Sequence, residues 1–317
     1  CSPSRRRSPS KGFTPKTGGN SFLSNLKLHK AVMVDQAINH LILNKKGSYV
    51  DCTFGTGGHT TAILNCLDPQ GHITCLDKDP CSDERAIKMS LSDKRMRFIN
   101  DSFANLERYF ELESLDGVLL DLGISTKQLD DPERGFSFQK PGPLDMRIDQ
   151  TSPLSAEFWI NNSSKDEIEK VLREIGEERQ FKKIAKLICS KRQEKAIKTT
   201  KDLSDIILSC KKRSSKIHPA TSVFRAIRMR INHELEELNS VLGVVGEVLK
   251  IGGRLAVISF HSLEDRIVKR FIQGKDGAGI ASTFKLVDGK PIKPNQDEIK
   301  ENPRSRSAIM RVAERVT

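Results

Sequence analysis

From Ser48 onward, short apolar runs alternate with stretches of helical length. The apolar blocks at 49–52, 73–76, 96–99 and 118–122 are each bounded by polar or turn-forming residues, as strands buried on both faces are. Between them, 58–67, 82–92 and 104–110 have the length and composition of helices. The alternation predicts an α/β fold: a doubly wound, Rossmann-like parallel sheet with helices on both sides.

After Gly123 the pattern changes. No strand-like run occurs from Leu154 to about Cys210, whereas Ile168, Val171, Leu172 and Ile175 form one helical stripe and Ile184, Leu187 and Ile188 another. Ser164 and Glu167 have the spacing of a capping box that starts a helix. A helical insertion over 124–215, expected to recognise substrate, therefore splits the sheet domain into 26–123 and 216–317. Trp159 is expected to be a packing anchor of that insertion rather than a base-stacking residue. Farther on, Phe224, Ile227, Ile231, Leu235, Leu238, Leu242, Val245 and Leu249 recur at helical spacing. They predict one long amphipathic helix, stopped by Gly252 and Gly253. Residues 254–260 read as another buried strand, and 284–287 with 308–313 as a closing pair around Asp288-Gly289.

Composition narrows the partners. The chain of 317 residues carries 53 Lys and Arg against 41 Asp and Glu, a formal charge of +12. That excess favours a polyanion, nucleic acid above all, although a basic solvated surface has the same signature. Seven cysteines form no CxxC pair, and the histidines show no helical ligand spacing. Neither a disulfide framework nor a protein-bound metal is expected. The longest apolar stretch, near 241–260, is interrupted by Glu247, Lys250 and Arg254, so no membrane partner is expected either. Residues 1–25, rich in Ser, Arg, Pro and Gly and free of acids, predict a disordered leader. Transit peptides share that chemistry, so the expected compartment is cytoplasmic, or mitochondrial or plastid if the leader is a targeting segment.

The chemistry gathers where the strands end. The first strand runs into VDCTFGTGGHT, placing Gly55, Gly57 and Gly58 where strand turns to helix. Glycines there let the backbone approach a nucleotide-like cofactor, or simply close a tight turn. Asp77, in CLDKDP, stands where a doubly wound fold puts the acid that binds ribose hydroxyls. Phe103, in NDSF, is a candidate lid over an adenine ring. The loop does not match GxGxxG, which disfavours a nicotinamide or flavin dehydrogenase and leaves S-adenosylmethionine preferred. Asp121 ends the fourth strand, followed by Ser125 and Gln128. A carboxylate there is costly unless it meets a ligand or partner, and such acceptors suit transfer of a methyl group to an exocyclic amine.

The motifs DCTFGTGGHT, LDKDP, LLDLGISTKQLDDPERGFSF, GPLDMR, HPATSVFRAIRMRINHELEEL, SFHSLEDR and NPRSRSA follow in order from about His29 to the C-terminus. Together they resemble the bacterial 16S ribosomal RNA (cytosine-N4) methyltransferase family. The resemblance implies a methyltransferase fold with a helical insertion, S-adenosylmethionine as donor, and a cytidine of small-subunit ribosomal RNA, or of the assembling small subunit, as substrate. Carried over by position, it implies cofactor contacts at Gly57, Gly58, His59, Asp77, Phe103, Asp121 and Gln128. Thr126 replaces a usual serine, and 274–300 is shorter than the family pattern.

Outside the cofactor motifs, Arg134, Phe136, Phe138 and Arg147 combine cations and aromatic rings suited to phosphates and a splayed base, or form a loop held by Arg–Asp pairs. Arg225, Arg228 and Asn232 share a helical face, and Arg228 and Asn232 are candidate substrate contacts. Arg304 and Arg306 read equally as phosphate contacts or surface charge. His261 is a candidate proton acceptor beside Asp121 and Ser125, or a structural histidine. The rival readings are an amino-methyltransferase of DNA or another RNA, without the [DNS]PP[YF] signature, and an inactive RNA-binding assembly factor.

Overall fold

A computed structural model describes residues 31–210, 218–275 and 283–317. The expected leader, 1–25, lies outside the described residues. Seven strands form one sheet: β1 (Ser48–Asp51), β2 (His72–Leu76), β3 (Met96–Ile99), β4 (Leu115–Asp121), β5 (Leu249–Ser259), β6 (Phe284–Leu286) and β7 (Ile309–Arg315). Their order is β3-β2-β1-β4-β5-β7-β6. The first five run parallel, while β7 lies antiparallel to β5 and to β6. The chain order reverses between β1 and β4, the crevice where doubly wound sheets bind ligands.

Strand periodicity sorts the core. Tyr49, Ile73, Leu119, Ala256 and Ile258 face one layer, and Val50, Leu76, Val118, Leu120, Leu255 and Val257 the other, because alternate side chains leave opposite faces of a strand. The first layer is covered by α1 (Val34–Leu41), α2 (Gly58–Cys66) and α3 (Asp83–Ser92). The insertion begins with α4 (Thr126–Asp130) and continues as α5 (Ala156–Asn162), α6 (Lys165–Glu174), α7 (Phe181–Glu194) and α8 (Thr200–Cys210). After it come α9 (Thr221–Ile231), α10 (Glu234–Val248), α11 (Ser262–Ile272) and α12 (Gln296–Glu301). The second face of the sheet is covered by α10, α11 and a 3-10 helix, Phe103–Arg108.

The insertion has a core of its own, in which Leu144, Trp159, Ile168, Leu172, Ile184 and Ile188 are buried. Trp159 is the expected anchor, 3% exposed, with Nε1–H donating to Glu167 Oε1 at 3.0 Å. Half of the expected capping box forms: Ser164 Oγ accepts from the Glu167 amide, while the Glu167 carboxylate turns to Trp159 and Arg230. Val223, Phe224, Ala226, Ile227 and Ile231 belong to the same core, so it extends past residue 215 to the end of α9.

Three predicted elements differ. The long amphipathic helix is two helices, because His233 takes a left-handed conformation (φ 53°). At this break Asn232 Nδ2 donates to Met146 O at 2.7 Å, and its Oδ1 accepts from the Ile148 amide at 2.6 Å. Those bonds tie the 146–148 loop to the helix junction. Gly252 and Gly253 do not stop the helix. It ends at Val248, and the glycines form an irregular start to β5, where Gly252 has φ 82° and a Cβ on Gly253 would lie 2.8 Å from Lys250 O. Finally, 104–110 is a 3-10 helix interrupted at Asn105 rather than an α-helix, and the turn-like Asp288 is joined by His40 at 2.9 Å.

Candidate functional site

The carboxyl ends of β1, β2 and β4 open into one cavity, whose wall includes His59, Asp77, Phe103, Asp121, Ser125 and Gln128. Six of the predicted site residues thus meet in one place. Gly57 and Gly58 do not line it. A Cβ on Gly57 would lie 2.9 Å from the Phe54 ring, and one on Gly58 2.7 Å from Ala31 Cβ. Their role is close packing of α2 beneath the loop. The loop residues that border the cavity run from Thr53 to Thr56, and both Gly55 and Gly57 need their glycines because φ is 54° and 74°.

The loop is held from below by acids at the strand ends. Asp51, buried at the end of β1, accepts from Thr60 Oγ1 at 2.7 Å and from the Thr53 amide at 3.1 Å. Asp77 accepts from the Gly55 amide (2.7 Å), the Asp79 amide (2.8 Å) and Ser82 Oγ (3.0 Å). An ionised carboxylate offers about four lone-pair sites, so one on Asp77 remains for a ligand hydroxyl. Burial pushes the Asp77 carboxyl up to about 6, against the pull of those three donors.

Asp121 differs from every acid around it. Its Oδ1 is buried and has no hydrogen-bond partner, and its Oδ2 lies 3.6 Å from His59 Nδ1. His59 Nε2 is 3.0 Å from Val32 O. With its hydrogen in that bond, His59 points the Nδ1 lone pair at the carboxylate, so it gives little relief unless protonated. Burial pushes Asp121 up to about 6; His59 opposes the rise, whereas Asp51 and Glu264 reinforce it. A buried oxygen without a donor costs about 1–3 kcal/mol. An orphaned carboxylate in a cavity wall fits a ligand that brings cationic or N–H character to it.

Ser125 and Gln128 form a full capping box at the start of α4. Gln128 Oε1 accepts from the Ser125 amide at 2.7 Å and Ser125 Oγ from the Gln128 amide at 3.2 Å. Gln128 Nε2 donates to Asp79 Oδ2 at 2.6 Å, so the side chain braces the cavity wall and retains one N–H.

The expected RNA-facing cations are largely used inside the protein. Arg134, 4% exposed, pairs with buried Asp79 at 3.0 Å and donates to Arg147 O and Ile148 O. Phe136 is buried under it, with the guanidinium 5.6 Å from the ring centroid. Arg147 grips Asp145 through Nε and Nη2 at 2.8 and 2.7 Å and also holds Gln150 O and Ser152 O. Arg228 grips Glu234 with two bonds of 2.8 Å, and Asn232 is used at the helix break. For Arg134 and Arg147 the alternative, a loop held by Arg–Asp pairs, is the arrangement found, and Arg228 and Asn232 are corrected to structural roles because they too bond within the protein; of these side chains Arg134 leaves its buried Nε without a partner. Only Phe138 keeps a half-buried ring on a second cavity, stacked on His218 at 4.4 Å.

His261 is also corrected. It is absent from the cavity wall, where its neighbour Phe260 stands. The His261 ring caps α11, with Nδ1 accepting from the Glu264 amide at 3.4 Å and Nε2 lying 2.8 Å from Glu264 Oε1 without an aligned hydrogen bond. The cavity residues that sequence reasoning missed include Val32, Lys78 and Asp101, whereas Arg304, read as a phosphate contact or surface charge, also stands in its wall. Asp101 stood in the same NDSF motif as Phe103. Val32 is brought to the wall by the His59 bond and by the Met33 amide donating to Glu298 at 2.6 Å.

Comparison with known proteins agrees with the motifs. The chain is 42% identical over 307 residues to Ribosomal RNA small subunit methyltransferase H of Coxiella burnetii, covering 92% of this chain and all of that protein. The protein of the same name from Thioalkalivibrio sulfidiphilus is 44% identical over 308 residues, covering 91% and 97%. An rRNA methylase of known structure from Streptococcus thermophilus is 12% identical, with a TM-score of 0.38, covering 90% of this chain and 94% of that one. The sequence profile of the MraW methylase family matches residues 26–316, and the chain belongs to that family.

Proposed function

We propose that the protein transfers a methyl group from S-adenosylmethionine to the N4 amine of a cytidine in small-subunit ribosomal RNA. The observation that carries this reading is the unpartnered Asp121 Oδ1 in the wall of a cavity at the β1/β4 crevice. The names of the 42–44% identical relatives support the RNA class, and the resemblance of the motifs supports the atom. The substrate is naked rRNA or the assembling small subunit.

S-adenosylmethionine, when bound, supplies an electrophilic methyl on a sulfonium. Asp77 would offer its remaining lone pair to the ribose hydroxyls, and Phe103 would pack against the adenine ring. Asp121 accepts an N–H of the target amine, which draws the nitrogen lone pair out of conjugation and toward the methyl. As the N–C bond forms and the C–S bond breaks, the amine becomes cationic. The released proton passes to Asp121 Oδ1, whose carboxyl near 6 suits a base working close to neutrality. Ser125, its Oγ accepting the α4 cap bond, can donate its hydrogen across the cavity to the base. The insertion would present the RNA to this centre.

Incubation with radiolabelled S-adenosylmethionine and unmodified small subunits, then nucleoside analysis, tests the reading. Label in N4-methylcytidine, lost in Asp121→Asn, is expected. Label in another nucleoside corrects the atom. Label in naked DNA but not in the subunit favours a DNA amino-methyltransferase, and cofactor binding without transfer favours an assembly factor.

A further inference from the structure

The first cavity shares Ile124 and Arg304 in its wall with a second, of about 360 Å³, under the insertion. Its wall carries four cations, Lys140, Arg225, Arg228 and Arg304, against one carboxylate, Asp130. They are not equivalent. Arg228 is neutralised by its bidentate grip on Glu234. Arg304 meets Asp130 at 2.9 Å, but with side chains 40% and 59% exposed, so the pair is solvent-screened and easily exchanged. Lys140 reaches only the Asp130 carbonyl, at 3.4 Å. Arg225 donates from Nη2 to Gly176 O at 3.2 Å, whereas its Nε is buried with no partner.

Arg225 is thus poorly satisfied and sits near a second arginine. Burial, and then Arg228, push its guanidinium down from its ordinary value, and Glu177 and Glu264 offset this only in part. An anion in the cavity would relieve the charge repulsion and stand where guanidinium groups bind best, since their fork matches a phosphate. The same wall holds the Phe138 ring, in edge contact with Phe224 at 5.2 Å. A cationic groove with an aromatic wall is the chemistry of single-stranded RNA recognition.

We propose that this second cavity holds the nucleotide adjoining the target, with its phosphate on Arg225 and Arg304 and its base or ribose against Phe138. The proposal rests on the RNA reading of the first cavity and adds a subsite to it. A strand whose target base enters the first cavity would reach the second across the shared wall of Ile124 and Arg304.

The test is binding of a short single-stranded RNA carrying the target sequence, by fluorescence anisotropy across a salt series, with S-adenosylmethionine affinity measured in parallel. Arg225→Gln is expected to weaken RNA binding about tenfold and to lower the salt slope by about 0.7, one phosphate contact. Arg225→Lys should recover the slope but only part of the affinity. Arg304→Gln, at an exposed position, repeats the measurement should Arg225→Gln fold poorly. A neutral methylphosphonate beside the target should weaken wild-type binding as Arg225→Gln does and add little in that variant. RNA bound by the wild type with the same affinity and slope in both glutamine variants overturns the subsite and leaves the methyl-transfer reading standing. Wild-type protein that methylates nothing and binds no RNA takes both down.

Discussion

Two polar clusters flank the same sheet edge and are built on opposite plans. Around Asp79, the donors converge: Arg134, Gln128 and the Cys81 amide all reach its carboxylate, and Arg134 goes on to two carbonyls of the 147–148 loop. Around Asp121 and Arg225, buried atoms are left open, Oδ1 in one and Nε in the other. The first cluster holds its loop in place: Arg134 Nε is buried without a partner, but both Nη atoms are bonded within the protein. The second pays a standing cost that only a ligand can remove. Charge and position along the chain did not separate the two plans, nor does one open atom, since Arg134 Nε is open too; what separates them is the partners of the remaining atoms, an ion pair and two carbonyls for Arg134, one carbonyl for Arg225 and a histidine 3.6 Å away for Asp121.

The sharpest way to break this contrast is to open the closed cluster. Arg134→Ala leaves the buried Asp79 without its cation, and should destabilise the fold by about 3–5 kcal/mol in urea unfolding. Loss of RNA affinity in a fully stable Arg134→Ala protein would instead return Arg134 to the substrate. Asp121→Asn should behave in the opposite way. Methyl transfer should fall about 10²–10³-fold, as when a preorganised acceptor is removed, yet the protein should become more stable. The folded Asp121 carboxyl lies near 6 against an ordinary 3.8. The native state therefore binds more protons than the unfolded chain between about pH 4 and pH 6, and wild-type stability falls as pH rises through that window. The variant escapes that loss. Its advantage should approach ~3 kcal/mol at pH 7 to 8 and vanish near pH 4, as measured by urea midpoints at each pH. An advantage independent of pH would rule Asp121 out as its source.

What sequence could reveal follows the same division. Strand positions and the acids at their ends were legible because period-two burial and strand-end placement are local properties. Asp77, Phe103 and Asp121 were found that way. The break at His233 was not legible, since Ile231 and Leu235 keep helical spacing across it and only the tertiary bonds of Asn232 reveal the junction. For Arg134 and Arg147 a loop held by Arg–Asp pairs was one of two open readings, and which carboxylates they meet was not legible. An RGFSF or LDMR motif shows a cation, but its partners, Asp79 in one case and Asp145 with two carbonyls in the other, are set by the fold. Arg225 shared a helical face with Arg228, and nothing local marked which of them would be paired.

The smallest expected effect bears on His261, which the motif SFHSLEDR brings to the sheet edge without bringing it into the cavity. Its ring caps α11 and lies against Glu264, whose other oxygen accepts from the Phe260 amide at 3.0 Å. His261→Ala removes the cap, which costs about 0.5–2 kcal/mol, and leaves Asp121 and the cofactor wall as they are. Tm should drop accordingly, while the methyl-transfer rate under saturating substrate should stay within a few-fold of wild type. A general base contributes typically 10²–10⁴-fold, so the two roles differ by far more than the error of either measurement. A fall of that size in His261→Ala, with Tm unchanged, would move the proton acceptor from Asp121 to His261 and require the α11 terminus to shift toward the cavity when RNA binds.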